Sequence, residues 1–188
     1  MRIISGYLKG KKLLFSNLKN TRPLRDVVKE NIFNILRHSN MLGKDIKGSN
    51  ILDLYSGTGS FGLECISRGA KYTVFVEKDS EAIDVLIENI NTLKIDNEKF
   101  LVNNRDVESF INSENNDNFD IIFFDPPYAE SLYLADLKLL NDQKKLLNNT
   151  LVIIHRDADS NEDLRSLIDV LMIKKYGRSK IIFGSILR

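Results

Sequence analysis

Two short motifs, each placed directly after an apolar run, constrain what this chain of 188 residues can fold into. The first is Asp53-Leu54-Tyr55-Ser56-Gly57-Thr58-Gly59, and it is followed by a helical pattern. The second is Asp125-Pro126-Pro127-Tyr128, which follows the largely apolar residues 119–124. Glycines between a strand and a helix allow a tight turn and close approach of the backbone to a ligand. We expect both motifs at one edge of a sheet.

Glycine loops of this kind also bind nicotinamide dinucleotides and flavins, so the nearby acidic residues have to discriminate. Asp53 lies four residues before Gly57, where a carboxylate suits a cationic amino-acid end and would repel a pyrophosphate. Glu77 ends a second apolar run and can accept both ribose hydroxyls in either cofactor class. Asp106 follows a third run and can accept an adenine amino group or cap the next helix. Both roles remain open for Asp106.

The Asp125-Pro126-Pro127-Tyr128 motif has the groups needed to activate an exocyclic base amine. Such an amine is a poor nucleophile because its lone pair is delocalised into the ring. The Asp125 side chain and the Pro126 carbonyl can each accept one N–H, and proline has a fixed φ and no competing donor. Tyr128 offers a stacking surface for the base. Two prolines can also simply end a strand, but together with the glycine loop they predict S-adenosylmethionine-dependent amino methylation.

The remaining composition excludes several other classes of protein. One Cys and two His form no metal-ligand spacing, so we expect no metal. The lone Cys65 cannot form a disulfide within one chain, and we expect it in the core. No apolar run approaches the roughly 20 residues that span a bilayer, and the N-terminus lacks the apolar core of a signal peptide. We therefore expect no membrane contact and a cytoplasmic location.

Positive charge is concentrated at the N-terminus. Residues 1–47 contain eleven Lys/Arg and three Asp/Glu, although the net charge of the whole chain is only +1. This asymmetry predicts contact with a polyanion such as RNA, and a solvated basic face is the alternative. The candidate phosphate-binding residues are Lys9, Lys11, Lys12, Lys19, Arg22, Arg25 and Lys29.

The hydrophobic pattern predicts two parts. Residues 1–47 would form a basic hairpin and helix, with short strands at 2–5 and 10–15 and an amphipathic helix from Asp26 to Arg37. Residues 48–188 would form a doubly wound α/β domain. Its strands are predicted near 50–54, 72–77, 100–103, 119–125 and 150–155, its helices near 60–69, 80–93, 107–112, 132–140 and 161–171, and a closing hairpin at 172–176 and 181–187 would complete seven strands.

The chain resembles the RsmD-type 16S ribosomal RNA guanine-N2 methyltransferases nearly from end to end. The resemblance lies in the two motifs above and in two N-terminal blocks: Arg2-Ile3-Ile4-Ser5-Gly6 with Lys9-Gly10-Lys11 and Leu13, and Arg22-Pro23 with Asp26, Lys29-Glu30 and Ile32-Phe33-Asn34-Ile35-Leu36. It implies a Rossmann-like class I methyltransferase fold, S-adenosylmethionine as donor, and a guanine of the small ribosomal subunit, free or assembling, as acceptor. We expect a monomer.

By position, the resemblance assigns roles to the motif residues. Asp125, Pro126, Pro127 and Tyr128 would hold the guanine. The residues expected at the cofactor are Asp53, Tyr55, Ser56, Gly57, Gly59, Glu77, Lys78, Asp106 and Val107.

The chain departs from the family pattern at two places. Leu24 stands where a threonine is usual, and His155-Arg156 stands where many relatives carry an acidic residue. We expect His155 to be either a strand-end residue or a satisfied polar residue rather than a catalytic base. Two other functions remain as alternatives: an adenine or cytosine amino-methyltransferase acting on DNA or RNA, and a non-catalytic RNA-binding factor for ribosome assembly.

Overall fold

A seven-stranded sheet forms the centre of the computed structural model, which describes residues 1–15, 24–39, 41–113, 118–127, 133–142 and 150–186. The strand order is β3-β2-β1-β4-β5-β7-β6. The first five strands are parallel, whereas β7 runs antiparallel to both β5 and β6. The predicted, mostly parallel sheet with a closing hairpin is confirmed. The strands are β1 (Asn50–Leu54), β2 (Tyr72–Glu77), β3 (Phe100–Asn104), β4 (Ile121–Phe124), β5 (Leu151–Asp157), β6 (Ile168–Tyr176) and β7 (Ser179–Ile186).

Five α-helices in the described part of the chain cover both faces of this sheet. They are α1 (Asp26–His38), α2 (Ser60–Ser67), α3 (Ser80–Leu93), α4 (Val107–Asn112) and α5 (Tyr133–Asp142). Apolar residues of α1, α2 and α3 pack on one face, and those of α4 and α5 pack on the other. None of these helices combines the length and apolar character needed to cross a bilayer.

The helix predicted near 161–171 is wrong, because most of this segment belongs to β6 and the turn before it. The backbone N–H groups of Leu167 and Ile168 both donate to the Leu164 carbonyl, which makes a single turn and no more. From Ile168 onward the backbone pairs with β7, and the Ile168 side chain is buried. Pairing with β7, the next strand along the chain, outweighs the local helical pattern.

The predicted N-terminal hairpin is reduced to one antiparallel bridge between Arg2 and Lys12. The N-terminal segment is nevertheless anchored to α2. Two backbone N–H groups of the segment donate hydrogen bonds to the fully buried carboxylate of Glu64. The donors are Ile4, at 2.7 Å, and Ser5, at 2.9 Å. Glu64 also pairs with Arg68 at 2.7 Å. The division of the chain at residue 47 stays a prediction.

We predict that Glu64→Ala destabilises the protein by about 3 kcal/mol, because it leaves the backbone donors of residues 4 and 5 and neighbouring buried cations without a buried acceptor. Urea unfolding followed by circular dichroism measures the change. Glu88→Ala, at an exposed position of α3, is the control and should stay within about 0.5 kcal/mol of the wild type. Equal stability of the two variants would contradict the anchoring role.

Candidate active site

The register of the parallel strands gathers the predicted motif residues at one edge of the sheet. Leu54 of β1 pairs with Val76 of β2 on one side and with Phe124 of β4 on the other. Phe124 in turn pairs with Ile154 of β5. The glycine loop, Glu77, Asp125 and His155 therefore all lie at or just beyond the carboxyl ends of adjacent strands, where α/β sheets bind their ligands.

The glycine loop turns through left-handed backbone conformations. Tyr55 has φ +58°, Gly57 +53° and Gly59 +82°. A Cβ atom on Gly59 would lie 2.3 Å from Cδ1 of Leu86 in α3, so this position excludes a side chain both by conformation and by space. The tight turn lets α2 begin directly behind the loop.

The Glu77 carboxylate organises the backbone around this loop. Its Oε2 accepts the Gly57 N–H at 2.9 Å, and its Oε1 accepts the N–H groups of Lys78 and Asp79 at 2.8 and 2.9 Å. Three backbone donors hold the carboxylate in one orientation beside the loop. Lys78 itself is exposed, and its predicted cofactor contact stays a prediction.

Asp53 is almost completely buried under the loop, and its Oδ2 accepts the N–H of Gly62 in α2 at 2.9 Å. Burial raises the pKa of Asp53 well above its ordinary value of 3.8, and the negative charges of Asp125 and Glu77 raise it further, against the lowering effect of the Gly62 hydrogen bond. The negative charges of Asp125 and Glu77 thus both act on Asp53 at this edge. Such a site favours a ligand that brings positive charge.

Two buried polar atoms near the carboxyl edge of the sheet have no hydrogen-bond partner within the described ranges. They are Oγ of Ser56, in the loop, and Nδ2 of Asn103, near the end of β3. Buried polar groups are normally paired, so these two atoms point to a ligand that brings polar atoms to this edge of the sheet. The residues present therefore fit a nucleoside-type cofactor.

The carboxyl end of β3 leads to Asp106, which caps α4. The Asp106 carboxylate accepts the backbone N–H of Ser109 at 2.7 Å and its hydroxyl at 2.8 Å, and these hydrogen bonds lower the pKa of Asp106. The capping interpretation is confirmed, and the adenine contact stays a prediction. Val107 begins the helix, with its side chain buried in the core. Tyr55, a residue of the glycine loop, donates its hydroxyl proton to Asp136 of α5.

Two consecutive residues of β5, His155 and Arg156, form hydrogen bonds with Asp125 and Pro127. Asp125 Oδ1 lies 2.8 Å from His155 Nδ1. The Arg156 guanidinium donates to the Pro127 carbonyl at 3.2 Å and lies over the Tyr133 ring, 4.5 Å from its centroid. Both His155 and Arg156 are 3% exposed. Of the two predicted roles, His155 is the satisfied polar residue, since both ring nitrogens have partners, and β5 continues for two residues beyond it.

Arg156 is itself fixed by an ion pair. Its NH2 group lies 2.9 Å from Oε1 of Glu162, and its Nε donates to the same oxygen at 3.0 Å. Burial and the nearby Glu162 charge raise the pKa of Tyr133 to about 12, so this ring stays neutral under the guanidinium. Tyr128, the fourth residue of the motif, lies outside the described residues.

The predicted RNA-binding residues divide into three groups. Lys9, Lys11, Lys12 and Arg25 are exposed, as a phosphate contact requires. Lys19 and Arg22 lie outside the described residues. Lys29 requires a correction, because its side chain has no exposed surface.

The Lys29 ammonium is used inside the protein. Its Nζ donates to the Arg2 carbonyl at 2.9 Å and to Ser60 Oγ at 3.1 Å, and it lies 3.9 Å from Glu64 Oε2. Burial lowers its pKa, and the charge of Glu64 opposes this effect. Lys29 therefore joins the N-terminal segment to the start of α2 and is not available to a phosphate.

Among the residues that the structure describes, no group of three or more His, Cys, Asp or Glu could hold a metal ion.

Comparison with known proteins identifies the family. A family model described as "Conserved hypothetical protein 95" matches residues 1–185. A curated relative, "Ribosomal RNA small subunit methyltransferase D" of Haemophilus influenzae, is 35% identical over 160 residues, which are 85% of this chain and 80% of the relative. The chain belongs to the RsmD family. The resemblance noted in the sequence is confirmed, and the protein is an rRNA methyltransferase by family.

Solved structures agree with this assignment at the level of the fold. "Putative methyltransferase yhhF from Escherichia coli" superimposes with a TM-score of 0.81 at 27% identity, covering 99% of this chain and 97% of that one. A more distant neighbour, "SMU.776, a putative methyltransferase complexed with SAH", has a TM-score of 0.63 at 16% identity and covers 84% of this chain and 49% of that one. The second likeness concerns the fold alone.

Sequence reasoning missed several residues that shape this RsmD-family site. Asp136, Asn103 and Arg156 received no role, although Asp136 binds Tyr55, Arg156 binds Pro127, and Asn103 pairs with Val76 next to Glu77. Only Lys29 carried a usable signal: it lies three and four residues before Ile32 and Phe33 and therefore shares their buried helix face. The other three contacts depend on strand register and helix placement, which local patterns do not contain.

The raised pKa of Asp53 predicts a pH-dependent stability of the ligand-free protein. The unfolded chain gives up this proton more readily than the folded one, so wild-type stability should fall as the pH rises from about 4 towards the folded pKa. In Asp53→Asn the amide oxygen can still accept the Gly62 N–H, but it cannot ionise. The free energy of unfolding of this variant, from urea titrations between pH 4 and 8, should therefore fall less than that of the wild type.

Asp84→Asn, at an exposed position of α3, is the matched control and should follow the wild type at every pH. Parallel curves for wild type and Asp53→Asn would show that Asp53 does not carry this proton.

Proposed function

We propose that this RsmD-family protein transfers a methyl group from S-adenosylmethionine to the exocyclic N2 amine of a guanine in 16S ribosomal RNA. One observation carries the proposal: β1 and β4 are adjacent and in register, so the glycine loop and the Asp125-Pro126-Pro127 turn lie side by side. The donor would occupy the first and the base the second.

The donor side rests on charge and on the buried polar atoms. A sulfonium and an α-ammonium are cations, and they suit a sheet edge where the negative charges of Glu77 and Asp125 lie near Asp53. Glu77 would accept ribose hydroxyls, while Ser56 Oγ and Asn103 Nδ2 would find polar partners on the ligand. The sulfonium supplies the methyl group and a neutral leaving group.

The acceptor side depends on alignment rather than on acid-base chemistry. The Asp125 carboxylate and the Pro126 carbonyl would each accept one N–H of the guanine amine, which turns its lone pair towards the methyl group. Tyr128 would stack on the base. The base would have to leave its stack to reach this edge of the sheet.

The RNA would approach over the exposed basic residues of the N-terminal segment, Lys9, Lys11, Lys12 and Arg25. A ribosomal RNA acceptor places the protein in the cytoplasm, and we propose that it acts as a monomer on RNA or on an assembling small subunit.

Incubation with methyl-labelled S-adenosylmethionine and purified 16S RNA or small subunits tests the proposal directly. Nucleoside digestion and mass spectrometry should yield N2-methylguanosine. Detection of methylated adenine or cytosine instead would show that the acceptor is one of these bases and not guanine. Absence of S-adenosylhomocysteine binding at millimolar concentration in calorimetry would favour the non-catalytic assembly factor.

Asp125→Ala should lower kcat by about 100-fold, because a hydrogen bond that matters in the transition state is lost. The dissociation constant of the donor should change far less, since the side chain faces the acceptor. Single-turnover kinetics and calorimetry separate the two quantities. Asp142→Ala, at the exposed end of α5, should match the wild type in both. Equal loss of turnover and donor affinity in Asp125→Ala would argue against the assigned role.

Lys11→Ala should weaken RNA binding and reduce the slope of log K against log salt concentration by about 1, as expected for one lost phosphate contact. Lys138→Ala removes an equally exposed cation from α5, on the opposite face of the sheet, and should leave the slope unchanged. Binding titrations at several salt concentrations give both slopes. An unaltered slope for Lys11→Ala would remove this residue from the proposed interface.

A further inference from the structure

The His155 imidazole connects the acceptor motif to the opposite side of β5. Its Nδ1 lies 2.8 Å from Asp125 Oδ1, just beyond β4, and its Nε2 lies 3.0 Å from Ser179 Oγ, the first residue of β7. Since β5 lies between β4 and β7 in the sheet, one side chain reaches both neighbours. Three residues from three strands therefore form a continuous hydrogen-bonded row.

The chemistry of the row determines where its protons lie. An ionised carboxylate only accepts hydrogen bonds, so His155 Nδ1 must donate to Asp125. In a neutral imidazole Nε2 then carries the lone pair and accepts the Ser179 hydroxyl proton. Ser179 thereby favours the ring tautomer that can bind Asp125.

The row leaves only its first member open to the outside. The Asp125 side chain is 20% exposed, whereas the His155 side chain is 4% exposed. A bound base can therefore touch Asp125, while His155 lies behind it and acts only through it.

We propose that His155, held by Ser179, is a positioning residue for the methyl transfer: it engages Oδ1 of Asp125 and leaves Oδ2 directed at the acceptor amine. This inference rests on the proposed function. The terminal torsion of an aspartate is broad, so an unheld carboxylate would sample many orientations. A misplacement of the amine by about 1 Å can cost a factor of about 100 in rate.

Two amide variants distinguish positioning from simple packing. In His155→Asn the amide nitrogen takes approximately the place of Nδ1 and can still donate to Asp125. In His155→Gln the amide reaches approximately the place of Nε2, so it can contact Ser179 but not Asp125. Both variants place an uncharged amide in the same buried site, but only His155→Asn keeps the hydrogen bond to Asp125.

Steady-state kinetics on 16S RNA should show kcat reduced by about 10–100-fold in His155→Gln and by less than about 5-fold in His155→Asn. The KM for RNA and the calorimetric affinity for S-adenosylhomocysteine should remain within about 3-fold of the wild type in both variants. Equal losses in the two variants, no loss in His155→Gln, or a parallel loss of cofactor affinity would each overturn the proposal.

A spectroscopic readout does not depend on activity. The chain has two histidines, His155 and the exposed His38. Nitrogen-15 spectra of labelled protein therefore resolve both rings. We expect His155 to carry a proton on Nδ1, and a bare Nδ1 would overturn the proposal. If the wild type does not methylate guanine, the proposed function fails, while the tautomer still reports on the row itself.

Discussion

The parallel pairing of β1 with β2 and β4 is the constraint on which the rest of the site depends. Because these strands and β5 run in the same direction without a register shift, every residue that follows them arrives at one edge. The antiparallel β7 contributes there too, since its first residue, Ser179, pairs with Asp157 at the end of β5. The same convergence concentrates negative charge, and the buried Asp53 bears the electrostatic cost of it.

The sequence predicts the features that depend on local patterns. Alternation of apolar runs with amphipathic helices gives all seven strands and five of the helices, because each element carries its own periodicity. The glycine loop and Asp125-Pro126-Pro127 are recognisable because their chemistry demands particular residue types next to one another. The capping role of Asp106 is visible for the same reason, since its partner Ser109 is three residues away.

Features that depend on distant partners could not be predicted in this way. The segment 161–171 has a helical pattern, yet from Ile168 onward the ladder with β7 determines its conformation. The burial of Lys29 can be inferred from its helix face, but its ion-pair partner Glu64 comes beside it only when α1 packs on the sheet. The contact between His155 and Asp125 requires the exact register of β4 and β5, and a shift by one residue would place the two side chains on opposite faces.

The position of β6 at the outer edge of the sheet affects how the protein behaves in concentrated solution. An exposed strand edge offers unpaired backbone groups to other chains and is a common starting point for aggregation. Here the ladder is interrupted between Val170 and Met172, and Lys174 and Lys175 are exposed along the same strand. An irregular edge that carries like charges is a poor template for another strand, so β6 disfavours the edge-to-edge addition of a second chain.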